Sequence, residues 1–150
     1  MRRYGEPRQK GRKYTLRPGV YAILPRGRNL LLTHQSEPEP EVQLPGGGID
    51  PGESPLTALH REVFEETGWR IAGARRLGAF RRFTYMPEYD LWAEKVCTIY
   101  VAHPVRRIGP PAEAGHTALW AAPEYAAQIV ANEGDSAFIR AYARRLAPCR

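Results

Sequence analysis

Between Gly47 and Trp69 the chain reads GGIDPGESPLTALHREVFEETGW. A glycine-rich turn carrying Glu53 leads into a segment that crowds Glu62, Glu65 and Glu66 together. On a helix, like charges three or four residues apart repel and destabilise it. At roughly 6 Å each pair costs about 0.7 kcal/mol in water and about 3 kcal/mol at an effective dielectric near 20. Such a cluster is either fully solvated or holds a cation, and the surrounding residues favour the cation. Hard divalent ions take oxygen ligands and keep shell positions for water and phosphate oxygens. Three glutamates with carbonyls from an adjacent turn supply part of such a shell without filling it. A carboxylate left over can serve as general base towards an attacking water.

These groups must be positioned by a helix over Ser54 to Thr67. Ser54 is a suitable N-cap, Pro55 suits the first helical position and Gly68 a left-handed stop. Leu56, Leu59 and Val63 form an inward stripe, with Glu62, Glu65 and Glu66 on an arc of about 100° beside it. Arg61, four residues before Glu65, can pair with it and orient its carboxylate.

Around this unit, Val20 to Leu24 and Leu30 to His34 read as a strand pair joined by a turn at Pro25 to Asn29. Val42 to Leu44 is a brief strand, Arg75 to Tyr85 and Lys95 to Val105 are longer ones, and Thr117 to Ala121 a short last one. Helices are expected from Pro123 to Ala131 and from about Ser136 to Leu146, the latter turning Phe138, Ile139 and Tyr142 inward. This order indicates an α+β fold with a mixed sheet covered by helices. Phe83, Tyr85, Tyr89 and Trp92 offer rings that could stack on a base. Of Arg81 and Arg82, adjacent on a strand, one at most points into a site; Arg81 is taken as that residue.

The chain of 150 residues, 43% apolar and 25% charged, is globular and long enough for one core. No apolar run is long enough to span a bilayer, and no secretory leader is evident. Cys97 reads as a core residue and Cys149 as unpaired, which suits a reduced, cytoplasmic protein. The net charge of +6 suits a polyanionic partner. Much of it lies in residues 1–17, expected to be a solvated basic arm and a candidate RNA-binding segment, preceding a single domain over 18–150.

Gly47, Glu53, Arg61, Glu62, Val63, Glu65, Glu66, Gly68 and Trp69 stand as G-x5-E-x7-R-E-U-x-E-E-x-G-U, U being apolar. This resembles the signature of the Nudix hydrolases, the MutT-like family, with Trp69 at a usually aliphatic place. The resemblance implies an α/β/α sandwich and Mg²⁺- or Mn²⁺-dependent hydrolysis of a nucleoside diphosphate linked to another moiety. By matched position it implies Glu62, Glu65 and Glu66 as metal-binding acids, with the Gly47 carbonyl and Glu53 as further ligands or supports. Glu62, Glu65 and Arg61 form the catalytic set, Glu62 being the first choice of base, with Glu113 and His116 as weaker candidates from a later loop. Arg81, Phe83, Tyr85, Glu113 and His116 are candidate substrate contacts. The expected substrate is a small nucleotide. Tyr85, sixteen residues after the motif, resembles a placement found in dinucleoside-polyphosphate hydrolases, so that class and RNA 5′-end hydrolysis stay open. A non-catalytic nucleotide- or RNA-binding module is a further alternative. The oligomeric state is left open, a homodimer included.

Overall fold

A computed structural model describes residues 1–146; Cys149 lies outside the described residues. Two sheets and three helices make the sandwich. The larger sheet runs β1 (Arg2–Arg3), β7 (Trp69–Met86), β8 (Leu91–Arg107), β2 (Thr15–Ile23), β6 (Gly46–Gly48). The smaller holds β3 (Pro25–Arg26), β4 (Asn29–Gln35) and β5 (Glu41–Gln43), with β9 (His116–Ala121) on the other edge of β4. The larger sheet is mixed, β2 running parallel to β8 from Thr15↔Ala93 to Ile23↔Val101 and antiparallel to β6, whereas the smaller is antiparallel throughout.

Side-chain alternation along the strands divides the core in two. Val20, Ala22 and Leu31 face helix α1 (Pro55–Thr67) with Leu59 and Val63. Ile23, Leu30 and Leu32 face the opposite way, with Phe80, Ile99 and Ile139, onto α2 (Pro123–Ile129) and α3 (Glu133–Leu146). At roughly 25 cal/mol per Å² of apolar area, each fully buried aliphatic chain here contributes about 1.5–3 kcal/mol. Cys97 is buried in the second cluster, where desolvation pushes its thiol up to about 11.

Several sequence expectations are corrected. The runs at Val20 and Leu30 do not pair as one hairpin: β4 folds back on the two residues of β3 and otherwise pairs β5 and β9, while β2 joins β8 and β6. Hydrophobicity marks both strands but does not say which edges meet. The three glycines, expected as a turn, form β6, and the turn itself follows at Asp50 to Glu53, closed by a hydrogen bond from Glu53 N to Asp50 O. Leu56 has the azimuth of the buried stripe yet is exposed: it sits in the first turn of α1, and burial on the helix begins at Ala58.

The basic N-terminal segment lies along the β7–β8 hairpin instead of standing off in solvent. Arg2 and Arg3 pair with Phe80 and Arg81, and Tyr4 sets its ring edge-on to Phe80. The Arg12 guanidinium lies 3.7 Å over Trp92, and Arg17 lies 4.5 Å over Tyr89. Tyr4, Tyr14 and these cation–π contacts supply the docking energy that a count of charges overlooks. β2 begins at Thr15, so it crosses the expected boundary between residues 17 and 18. No helix among the described residues is long and apolar enough to cross a membrane.

Candidate active site

Helix α1 presents the acids because both its ends are fixed by local chemistry. Ser54 Oγ accepts the Thr57 amide at 3.2 Å, Pro55 opens the first turn, and Gly68 closes the helix in the left-handed region at φ 77. Gly68 also permits a close approach: a Cβ there would stand 1.9 Å from the Gly109 carbonyl oxygen. The loop leaving β8 therefore crosses the helix end, held by Ile108 N to Gly68 O and by Glu113 N to Glu65 O, each 2.9 Å. This crossing carries Glu113 and His116 to the helix acids.

Arg61 gathers the outer carboxylates. Its Nε and Nη2 donate to Glu53 at 2.8 Å each, its Nη1 to Glu62 at 2.9 Å and Glu65 at 3.3 Å, and its Nη2 also to the Gly48 carbonyl at 3.1 Å. The guanidinium holds the Glu53 carboxyl down at about 2, with help from the Asp50 amide. Glu53 thus braces the turn through Arg61 and Asp50.

Glu66 is placed differently. It is 5% exposed, accepts the Gly46 amide at 2.9 Å, and has no arginine or lysine in ion-pair contact among the described residues. Burial raises its pKa well above the carboxylate range, and Glu62, Glu113 and Glu65 push it further in the same direction. His116 Nδ1 lies 3.5 Å from Glu66 and 2.9 Å from Thr33 Oγ1. Burial likewise raises Glu62, against the lowering effect of Arg61.

In each of two groups, Glu66 with Glu113 and His116, and Glu62 with Glu65 and Glu113, the donor atoms all lie within 4.8 Å of one another. A carboxylate buried without a cation, ringed by three others, fits a hard divalent ion. Gly47 leaves the room: a Cβ on it would stand 2.5 Å from Glu62 Cδ.

The acids open on a cleft of about 680 Å³ walled by Tyr21, Arg82, Tyr85, Lys95, Glu113 and His116 with Glu62 and Glu66. Of the sequence candidates, Tyr85, Glu113 and His116 come to this cleft. Arg81 and Phe83 do not line it: Arg81 pairs with Glu94 at 3.1 Å, and the buried Phe83 packs on Tyr14 at 4.8 Å. Strand alternation sends Arg82, not Arg81, inward. Tyr85 stands at the rim, its hydroxyl donating to Asp90 and its ring against Trp92. Missed from sequence were Arg82 as the inward member of its pair, Lys95 and Tyr21, for which strand phase was the available signal. Glu113 as a cation-site donor was missed because only the loop crossing brings it there.

Comparison with known proteins places the fold and the family. The NUDIX domain family model matches residues 15–142, and the chain belongs to that family. A Bacillus subtilis (strain 168) protein, provisionally named an 8-oxo-dGTP diphosphatase, is 34% identical over 74 residues, 49% of this chain and 50% of its own length. An RNA pyrophosphohydrolase from Helicobacter pylori (strain ATCC 700392 / 26695) is 44% identical over 57 residues, 35% of this chain and 37% of its own. The chain thus spans half or less of these relatives. The fold matches a NUDIX hydrolase from Nitrosomonas europaea at TM-score 0.71 and 18% identity, covering 87% of this chain and 90% of that one. It also matches the MutT protein of Methanosarcina mazei Go1 at TM-score 0.67 and 19% identity, covering 91% and 99%.

Proposed function

We propose that the chain is a divalent-cation-dependent hydrolase that cleaves a diphosphate linkage of a nucleotide. The observation that carries this is Glu66: a buried carboxylate with no arginine or lysine in ion-pair contact among the described residues, surrounded by Glu62, Glu65 and Glu113. Glu62, Glu65, Glu66 and Glu113 would hold Mg²⁺ or Mn²⁺, with the Gly47 carbonyl as a further ligand; Glu53 acts through Arg61. Such an ion supplies neutralisation of phosphate charge and polarisation of the phosphorus centre.

The protein's own groups do the rest. Arg61 engages Glu62 through Oε1 at 2.9 Å, which leaves Oε2 to receive the proton of an attacking water. Water oxygen bonds to phosphorus, the bridging P–O bond breaks, and the leaving phosphate takes the electron pair. Arg61 orients the acids, and the buried environment of Glu66 strengthens every charge interaction at the reacting bond. The 1–17 segment and 18–150 are taken as one working unit, with the segment braced on β7.

A nucleotide panel with Mg²⁺, scored by product identity, tests this reading. Turnover should vanish with chelator and return with Mg²⁺ or Mn²⁺. Binding of nucleotide with no product after long incubation would reverse it in favour of a non-catalytic module. The relatives named RNA pyrophosphohydrolases support RNA 5′-end hydrolysis as a second reading. Because the basic segment is packed, charge-neutral substitutions at Arg8 and Lys10 test it better than deletion. A selective loss on RNA is expected if the segment holds RNA, and equal activity on RNA and free nucleotide would exclude that role.

A further inference from the structure

The cleft has a second wall of opposite sign. Arg82 on β7 and Lys95 on β8 are directly opposed cross-strand partners, and both are half-buried. They are the two lysine or arginine side chains in the lining that also contains Glu62, Glu66 and Glu113. Like charges set opposite one another on neighbouring strands weaken the pairing. On the other face of the same hairpin Arg81 is relieved by Glu94 at 3.1 Å, whereas neither Arg82 nor Lys95 takes part in an ion pair among the described residues.

One buried acid lies within reach of both, but not in ion-pair contact. The buried Asp135 carboxylate feels both cations, but its Oδ2 accepts the Leu44 amide. Lys95 Nζ lies 6.0 Å from the centroid of the Tyr21 ring, and Tyr21 feels both Glu66 and Arg82. Tyr21 thus stands between the acidic and the cationic walls. Two adjacent cations with no ion-pair partner among the described residues, facing a cleft whose other charged walls are acidic, make a site for an anion that an acid-bound cation would leave free.

We propose that Arg82 and Lys95 clamp the phosphoryl group beyond the scissile anhydride, so that the enzyme prefers substrates ending in a free terminal phosphate. This rests on the hydrolase reading above and narrows its substrate class to nucleoside triphosphates and triphosphorylated ends. A terminal phosphate carries up to two negative charges and three acceptor oxygens, which a guanidinium and an ammonium can share. A diphosphate esterified to an uncharged group lacks that second charge and draws less from the pair.

The test compares wild type with Arg82→Gln, Lys95→Gln and the double variant on three substrates: GTP, a 5′-triphosphorylated RNA oligomer and a nucleoside diphosphate sugar. The double variant should lose about 10²-fold in kcat/KM on one or both triphosphates and less than about threefold on the sugar. Which triphosphate suffers identifies the source of the terminal phosphate. Turnover lost on the triphosphates but kept on the sugar separates a clamp from a structural role, which would lower all three. Equal losses on all three substrates, or none on the triphosphates, would overturn the clamp while leaving the hydrolase reading intact. Should wild type hydrolyse nothing, calorimetric titration with a non-hydrolysable imido triphosphate still decides. Affinity above that for the monophosphate, lost in the double variant, supports the clamp; no such difference, or its survival in the variant, overturns it.

Discussion

Glu62 and Glu66 are neighbours on one face of α1, yet they stand in opposite electrostatic settings. Glu62 shares Arg61 with Glu53 and Glu65, whereas Glu66, one turn deeper, has only the Gly46 amide and His116 among the described residues. The outer acids are organised by the protein itself; the inner one is left for something the protein does not supply. Positive charge that orients carboxylates also blunts them as ligands, so a site needing both keeps them at different depths.

Glu66→Gln should break the contrast most severely. The amide oxygen can still accept from Gly46 while the charge is gone, so turnover should fall by about 10³-fold or more. The same change removes a desolvated charge, so thermal unfolding should show equal or greater stability. Retained activity would show that Glu66 is merely a structural acceptor.

Gly47→Ala should come next. Its Cβ would press on Glu62 Cδ at 2.5 Å, where a side chain can yield, and a displacement of that kind costs about 10²-fold in rate. Gly46→Ala makes the informative control. There the Cβ would stand 2.1 Å from the Val20 carbonyl oxygen at φ +151, so stability should suffer along with activity. Paired melting curves and steady-state rates distinguish a displaced carboxylate from a damaged strand.

Arg61→Lys keeps the charge but loses the paired bonds to Glu53. Activity should drop by about 10- to 100-fold, as for groups that orient ligands, and the melting temperature should fall. The Glu66 variant is predicted to move stability the other way, so the two signs together test the division between oriented and unpartnered acids.

The smallest effect concerns an acid outside the cleft. Burial raises Asp135 from 3.8 to about 6, against the Leu44 amide and the fields of Arg82 and Lys95. A raised carboxylate favours the folded state while protonated, and that advantage is lost as pH rises from about 4 through 6. Asp135→Asn should therefore gain on wild type across that window, by about 3 kcal/mol at most. Denaturant titrations at pH 4, 5, 6 and 7 measure it; a constant difference would remove Asp135 as the source.

The helix was legible because its determinants are local: a cap, a proline, a stop glycine and charges at fixed angular spacing. Arg61 with Glu65 followed from the same periodicity, and the pair is present at 3.3 Å. The strands of the β7–β8 hairpin were also visible from their β-branched and aromatic residues, although each is longer than expected. Arg81 and Phe83 show where that reading stops. Composition marks a strand, but a strand in the wrong phase shows its other face, and the phase is set by partners elsewhere in the chain. The packed N-terminal segment was hidden for a related reason: its docking depends on rings of the hairpin, brought near by β1 and β2.

Sequence alone determined the motif's chemistry: carboxylates at helical spacing, an arginine to orient them and a glycine-rich approach to the helix. Those properties depend on backbone geometry repeated over a few residues, so they can be read along the chain. Tertiary structure decided which acids are buried, which of Arg81 and Arg82 faces the cleft, and that Glu113 and His116 join Glu66. Each depends on contacts between residues distant in sequence, above all the crossing of the 108–115 loop over Gly68, and desolvation follows only once those contacts form.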